Sequence, residues 1–392
     1  MECFADLHVH IGQAKKRPVK ITASRSLTLS NIYDYCLNKK GIDIIGIVDC
    51  ASPYVLGEIS EHLESEEVRP LAGGGLRYKD KLTIILGAEI ETTEEKGAAH
   101  SIAFFPYYEQ IKEFSMIISE YITNITLSSQ KARLPAKELL KIVRSLGGEM
   151  IPAHVFTPFK SFYGSCYDRL SLAFEDGLDD IAGVELGLSA DTDFADTIKE
   201  LSTKTFLSNS DAHSLGKIAR EYNKMKLKFP DFKNIFSALR GSDNNFIMSN
   251  YGLSPKLGKY HRTFCPVCNY IAGGAPPVIK CPICNNESVT LGVLDRITII
   301  ADSTAPVHPQ HRPLYHYQIP LEFIPGIGRK TIEKLLLYFG TEMNVIHDAD
   351  VKQLTEIVGE QRAESIILAR EGKLDLKVGG GGFYGKVLNR NV

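Results

Sequence analysis

The chain has 392 residues, 44% hydrophobic and 23% charged, with a formal net charge of -2, a composition that suits a large folded core and excludes disordered, collagenous and coiled-coil chains. No apolar run approaches the roughly 18 residues of a membrane-spanning helix, and the opening MECFADLHVH has neither a basic nor an apolar leader, so a soluble, cytoplasmic protein is expected. Eight cysteines are too sparse for a disulfide scaffold, and at ~150 residues per domain the length suggests two or three domains.

In chain order, short β-branched runs alternate with amphipathic stretches. The predicted strands are CFADLHVH (3–10), IDIIGIVDC (42–50), LTIILGAEIE (82–91), AAHSIAFF (98–105), EMIPAHVF (149–156), IAGVELGL (181–188) and KTFLSNSDAH (204–213). Predicted helices include 30–41, with Ser30 as N-cap and Gly41 as C-cap, and 135–148, with proline at its start and glycine at its end. Seven βα units are more than an open sheet usually holds, so a closed parallel barrel is expected. Residues 255–259 read as a linker. Beyond them lie a CPVC…CPIC unit, a His- and Pro-rich stretch (306–320), two helical hairpins and a glycine run (379–382).

Histidines and carboxylates fall at the ends of these strands, the face where barrels build their sites. His8 and His10, two apart on one strand, point to the same side and can grip one cation. Asp211 and His213 repeat that spacing, and Glu89, His100 and His154 lie between. A single histidine is more often an ordinary surface or hydrogen-bonded residue, but five of eleven converging with two carboxylates call for cations to neutralise them.

These runs carry a resemblance. DLHVH, GAE, HSI, PAH followed by TP, and NSDAH together resemble the PHP (polymerase and histidinol phosphatase) superfamily over residues 1–249. The resemblance implies a distorted seven-stranded barrel in which His8, His10, Glu89, His100, His154, Asp211 and His213 hold metal. One motif departs: where the family has TDH, this chain has Val48, Asp49 and Cys50, so a histidine that helps hold a third ion is absent. Two divalent ions, Zn, Mn or Mg, are the expectation, with Asp49 acting behind the ligands. A bridging carboxylate, for which Glu89 is chosen, would hold two cations ~3.5–4 Å apart and lower the pKa of a shared water, chemistry that suits phosphoester hydrolysis. Glu89, Asp211 and His213 are the candidate catalytic residues; Asp211 is either a ligand alone or a ligand that also orients the attacking water. The loop 12–30 contains Lys15, Lys16, Arg17, Lys20 and Arg25 and no acid; it reads equally as a phosphate clamp beside the metals and as a solvated basic loop. Phe156, Phe159, Phe162 and Tyr163 are candidates for stacking on a base and equally for the core.

Cys265, Cys268, Cys281 and Cys284 form two CxxC turns separated by twelve residues, the spacing of a tetrahedral four-cysteine zinc site whose filled coordination makes it structural. Cys3 and Cys36 read as core residues. The run FIPGIGRKT (323–331) resembles the turn of a helix-hairpin-helix motif. Its glycines let backbone N–H groups approach a phosphate without reading bases, and Arg329 and Lys330 add charge. Gly326, Gly328, Arg329 and Lys330 therefore join Lys15, Lys16, Arg17 and Arg25 as candidate DNA contacts. A weaker copy at 354–360 has Glu360 where the second glycine would stand and serves to complete the fold. The charge distribution permits this reading: 29 Lys+Arg against 34 Asp+Glu up to Ser249, but 16 against 13 from Asn250 onward.

The order of barrel, four-cysteine unit, helix-hairpin-helix and a glycine-rich tail with GFYG (382–385) resembles the endonuclease Q family over nearly the whole chain. That resemblance implies an α/β protein with a PHP-type distorted (β/α)7 barrel at 1–254, a small four-cysteine zinc module at 255–292 and an α-helical helix-hairpin-helix domain at 293–392. It further implies a monomeric, metal-dependent DNA repair endonuclease, cutting 5′ to deaminated bases (uracil, hypoxanthine, xanthine) or abasic sites. A PHP exonuclease, a phosphatase and a non-catalytic DNA-binding scaffold are the alternatives.

Overall fold

A computed structural model describes residues 1–388; positions 389–392, the end of the expected third region, lie outside the described residues. All seven expected strands are present: β1 (Glu2–Val9), β2 (Ile44–Ile47), β3 (Leu82–Glu94), β4 (Gly97–Phe105), β5 (Glu149–Pro152), β6 (Gly183–Glu185) and β7 (Thr205–Leu207). β1, β2 and β3 pair in parallel, as do β6 and β7. Beyond β7 the chain meets β1 again, where His10 N–H donates to the Ala212 carbonyl and Ala212 N–H to that of His8, both at 3.2 Å.

The direction of the middle strands departs from the parallel expectation. β3 pairs antiparallel with β4, and β4 with β5. Only two residues separate β3 from β4, and a parallel crossover needs a dozen or more. The consequence matters for the site: His100 lies near the start of its strand, yet the reversed direction delivers it to the face reached by the later half of β3. The sheet continues past β1 through β8 (Tyr222–Lys226), β9 (Phe246–Gly252) and β10 (Leu314–Tyr317), so a strand from beyond residue 293 joins the barrel's sheet.

A bulge between Asp6 and Val9 interrupts the alternation of β1: Ala5 pairs with Ile44, and Asp6 and Val9 pair with Ile45 and Ile47 of β2, while His8 and His10 are both fully buried with their Nε2 atoms 3.3 Å apart. The helices close the outside. In Ala136–Ser145 the buried Ala136, Leu139, Leu140 and Val143 follow the i, i+3, i+4, i+7 spacing of one apolar stripe. The first helix starts at Leu29 and is capped by Thr28, whose hydroxyl accepts from Asn31 N–H, rather than by Ser30; both types cap well, but Leu29 is buried and belongs inside the helix. Gly41 ends it as expected, at φ +79, in a place where a Cβ would strike the Thr341 side chain. Cys3, Cys36, Cys50 and Cys166 are all buried.

Residues 255–259 form a docking strip rather than an open linker: Gly379, Gly385 and Gly382 donate their N–H groups to the carbonyls of Lys256, Leu257 and Lys259. The helical C-terminal part also packs directly on the barrel. Lys40 Nζ lies 2.8 Å from Glu342 Oε2, both buried, and the His347 ring stacks on Phe4 at 4.7 Å and shares a hydrogen bond with the Tyr222 hydroxyl at 2.7 Å. Among the described residues no helix is long and apolar enough to cross a membrane.

Burial holds the His347 imidazole down at about 4, whereas an unfolded histidine titrates near ~6.5. Between those values the unfolded chain binds a proton that the folded chain does not, so stability is full above the upper value and is lost as pH falls toward the lower. Calorimetry should show the melting temperature falling from pH 7 to pH 5, and His347→Gln should make that slope shallower.

Candidate functional site

The barrel's polar end gathers two sets of donor atoms, His8/His10/Asp211 and Glu89/His100/His154, each set lying within 4.8 Å. In the first, Nε2 of His8 and Nε2 of His10 are 3.3 Å apart and lie 3.6 and 3.3 Å from Asp211 Oδ1. In the second, Glu89 Oε1 lies 2.8 Å from His100 Nδ1 and 3.4 Å from His154 Nε2, and those nitrogens are 3.3 Å apart. Donors bonded at ~2.0–2.1 Å to one tetrahedral cation stand about 3.4 Å from one another. Glu89 lies between the sets, with Oε1 3.6 Å from His8 Nε2 and Oε2 3.6 Å from His10 Nε2.

The imidazoles are oriented from behind. His8 Nδ1 is 2.9 Å from Glu185 Oε2, His10 Nδ1 is 3.0 Å from Asp49 Oδ1, and His154 Nδ1 is 3.2 Å from the Thr157 hydroxyl. A proton held at each Nδ1 leaves the Nε2 lone pair facing the cluster, the arrangement of metal-binding histidines. His100 is turned the other way, with Nε2 3.4 Å from Glu91 Oε2 and Nδ1 inward. Two inward lone pairs 3.3 Å apart repel unless a cation stands between them, so the residues present fit divalent metal. Without a cation the rings take up protons instead; desolvation would raise the Asp211 carboxyl, but the His10 hydrogen bond and the charge then carried by His8 and His213 hold it well below the usual carboxylate range. The same contest, won by His100, Lys20 and His154, holds Glu89 down.

Two residues of these donor sets lie in the left-handed backbone region, His154 at φ +31 and Asp211 at φ +46, the kind of strain that a surrounding structure must hold in place. Gly187, itself at φ +79, makes the close approach to His154, where a Cβ would stand 2.9 Å from the His154 Cβ. His213 stands beside the first set, its ring 4.7 Å from that of His10 and its Nδ1 3.0 Å from the Asp211 carbonyl. Asp49 lies behind His10, accepting also from Ile11 N–H and the Ser128 hydroxyl.

The sequence did not single out Glu185, Glu91, Ser128 or Ser129, whose signal is only an acid or hydroxyl amid apolar or loop residues. Nor did it separate Lys20 from the other bases of its loop. Of those, Lys15 pairs with Glu61 on the neighbouring helix Pro53–Glu64, and Lys16, Arg17 and Arg25 are exposed. Phe156, Phe162 and Tyr163 are core; Phe159 is exposed and meets Tyr260 edge-on at 5.6 Å.

Elsewhere, the four Sγ atoms of Cys265, Cys268, Cys281 and Cys284 form a third donor cluster, with Cys265–Cys284 at 3.6 Å and Cys268–Cys281 at 3.3 Å. Buried Asp295 ties this unit to helix Val293–Ile300 by accepting from Arg262, Thr263 N–H and Val278 N–H. In the hairpin turn, Gly326 takes φ +80 and Gly328 begins helix Arg329–Phe339 with no side-chain cap, leaving its first N–H groups open to an anion. Arg362, on helix Glu360–Arg370 of the second hairpin, braces the turn by donating to the Gly326 carbonyl at 3.0 Å.

Residues 319–371 match the family described as SAM-like Helix-hairpin-helix tandem. The uncharacterized protein YqxK of Bacillus subtilis (strain 168) is 44% identical over 391 residues, which cover 98% of each chain. The crystal structure of the lesion-specific endonuclease PfuEndoQ from Pyrococcus furiosus matches with a TM-score of 0.84 at 31% identity, over 99% of this chain and 95% of that one. A structure of Endonuclease Q in complex with a 27-mer duplex substrate, with an abasic lesion at the active site, matches with the same TM-score and identity over 99% and 96%.

Chelation should proceed in two stages. Ions at the partly open barrel face should leave first and return on addition of Mn²⁺, while the ion held by four thiolates persists because its binding is coupled to folding of its unit. Elemental analysis after graded chelator treatment reads both stages. Cys281→Ser should lose the second ion and lower the melting temperature.

Proposed function

Because the chain belongs to the endonuclease Q family, we propose that it is a metal-dependent DNA repair endonuclease that cuts the phosphodiester 5′ to deaminated bases or abasic sites. The observation that carries this reading is the end-to-end match to an endonuclease bound to a lesion duplex, in a chain that keeps two full donor sets at the barrel face. We divide the chain at 1–254, 255–292 and 293–392.

His8, His10 and Asp211 would hold one divalent ion, His100 and His154 a second, with Glu89 shared between them; His213 stands beside the first. When bound, such ions supply Lewis acidity toward a phosphate and lower the pKa of water. The nitrogen-rich donors suit Zn or Mn better than Mg, and the four-thiolate unit suits zinc. Beside the ligands, a cleft of about 580 Å³ is lined by His154, Asp211, Asn209, Arg220, Tyr260 and Tyr384. Its volume and mix of polar and aromatic groups suit an extruded base, and a poorly paired lesion costs less to extrude. Tyr384 gives the glycine-rich tail a role there, since its hydroxyl accepts from Arg220 at 2.7 Å.

Binding to undamaged backbone falls to other residues. The Gly326–Gly328 turn, Arg329 and Lys330 would contact phosphates, which position DNA without reading sequence. Lys16, Arg17 and Arg25 would extend that contact toward the barrel, with Lys15 contributing less because Glu61 neutralises it.

Incubating a labelled duplex carrying one internal deoxyuridine with the protein and Mn²⁺ should give one discrete incision. A ladder would mean an exonuclease, and intact DNA a scaffold. Asp211→Ala and His8→Ala should reduce incision to background while DNA affinity stays within a few-fold, with metal content falling in parallel.

Gly328 sits at φ -88 with open space where a Cβ would go, so Gly328→Val should leave the fold intact and act on phosphate approach alone. Loss of one charge-assisted hydrogen bond predicts about tenfold weaker binding, equal for damaged and normal duplexes at one salt concentration. A ratio of the two affinities that collapses to one would move lesion recognition to the hairpin.

A further inference from the structure

Of the five bases in the 12–30 loop, Lys20 alone turns into the donor cluster; its side chain is 13% exposed, while the other four residues are exposed. Its Nζ lies 3.0 Å from Glu89 Oε2 and donates to the Ser129 hydroxyl, which in turn donates to the same Glu89 oxygen. It lines a cleft of about 350 Å³ shared with Glu89, Ser129, Lys160, Asp211 and His213.

Anchoring the loop does not account for this lysine. The loop is already fixed by its backbone, with Val19 N–H donating to Gly12, Lys20 N–H to Ile11 and Ser24 N–H to His213, and by the fully buried Val19 and Leu27. Nor does Glu89 need it as a sole partner, since all four histidines of the two donor sets already face that carboxylate within 3.6 Å. Removing an ammonium from water is costly, and here that cost is met at the mouth of a cluster built to hold other cations. Among the described residues, Glu89 and Ser129 take two of its three N–H donors, which leaves the third for a ligand in the cleft.

We propose that Lys20 is a further catalytic residue, a fixed cation that contacts the phosphate being cleaved and stabilises the negative charge that grows on it; this rests on the phosphodiesterase reading given above. A charge held in place beside Glu89 costs no reorganisation when the phosphate becomes more anionic, so it acts more strongly on the transition state than on the bound substrate.

Two variants separate charge from scaffolding. Lys20→Met removes both charge and hydrogen bonds; Lys20→Gln keeps a hydrogen-bond donor near Glu89 without the charge. Single-turnover incision of the deoxyuridine duplex in saturating Mn²⁺, over a range of enzyme concentrations, separates the saturated rate from half-saturation. Both variants should lose about 10²–10³ in the saturated rate, with half-saturation within fivefold of wild type. Mn²⁺ titration followed by electron paramagnetic resonance should show undiminished stoichiometry and affinity, which also shows that the site has folded. A Lys20→Gln rate within threefold of wild type would overturn the proposal, because the charge would then be dispensable. Mn²⁺ affinity weakened tenfold or more would overturn it too, reducing Lys20 to a strut for Glu89. Wild-type protein assayed alongside keeps the two readings apart: if it fails to incise, the endonuclease reading itself falls.

Discussion

Two imidazole nitrogens facing one another at 3.3 Å, Nε2 of His8 and Nε2 of His10, impose the constraint that the rest of the barrel meets. The pair is tolerable only if each ring keeps its proton on the far side and a cation is drawn in between. Far-side acceptors must therefore come from distant parts of the chain: Glu185 at the end of β6 for His8, and Asp49 just past β2 for His10. Buried Asp6, also on β1, accepts from Ser210 and Ala219 N–H and so pins both ends of the segment that carries Asp211 and His213. Asn209 extends the same network, accepting from Leu7 N–H and donating to Glu185, both at 3.0 Å. Backbone strain at Asp211 and His154 of ~1–3 kcal/mol each is sustained in this setting because so many bonds fix the surrounding segment.

The parts of this arrangement that were legible in the sequence are those with a local pattern. Alternation along a strand exposes His8 and His10 as a pair, and the CxxC spacing exposes the thiolate cluster, because in both cases the chemistry repeats within a few residues. Strand existence was equally legible, since apolar runs bounded by turn residues mark it. Strand direction was not: the β3–β4 hairpin turns on two residues, Glu95 and Lys96, that carry no strong turn chemistry, and the regular succession of strands hid it. The far-side acceptors were out of reach for a different reason. Glu185 meets His8 across 177 positions, and a lone glutamate in an apolar strand has no local feature that distinguishes it from a tolerated polar residue. Phe156, Phe162 and Tyr163 illustrate the converse, aromatics near ligands in sequence that packing takes into the core.

Lys20 shows how far composition can mislead about a loop. Five bases and no acid suggest a uniformly cationic surface, yet the structure gives those bases different surroundings: Lys15 is neutralised by Glu61, three others face solvent, and one is half-buried beside Glu89. Exposed charges act over roughly a Debye length of ~10 Å and are screened by salt. A half-buried cation next to a carboxylate is screened far less, so its effect on chemistry is out of proportion to its share of the net charge.

The ties between the C-terminal helices and the barrel converge on the same segment as the metal chemistry. Lys217 lies 2.6 Å from Glu322 and 4.3 Å above the Phe323 ring, immediately before the hairpin turn. Lys40 joins the Gly216 carbonyl at 3.0 Å to Glu342, in the bend after helix Arg329–Phe339. Residues 216 and 217 follow Asp211 and His213 by only a few positions, so the turn proposed to grip phosphates and the carboxylate proposed to hold metal are fastened to one short stretch of chain. A duplex held at the hairpin would then stand at a fixed offset from the cleaving atoms. Sequence-blind contacts would thereby set which phosphodiester is presented, while the cleft lined by Tyr384 and Arg220, in the reading proposed above, would decide whether the neighbouring base marks it for cleavage.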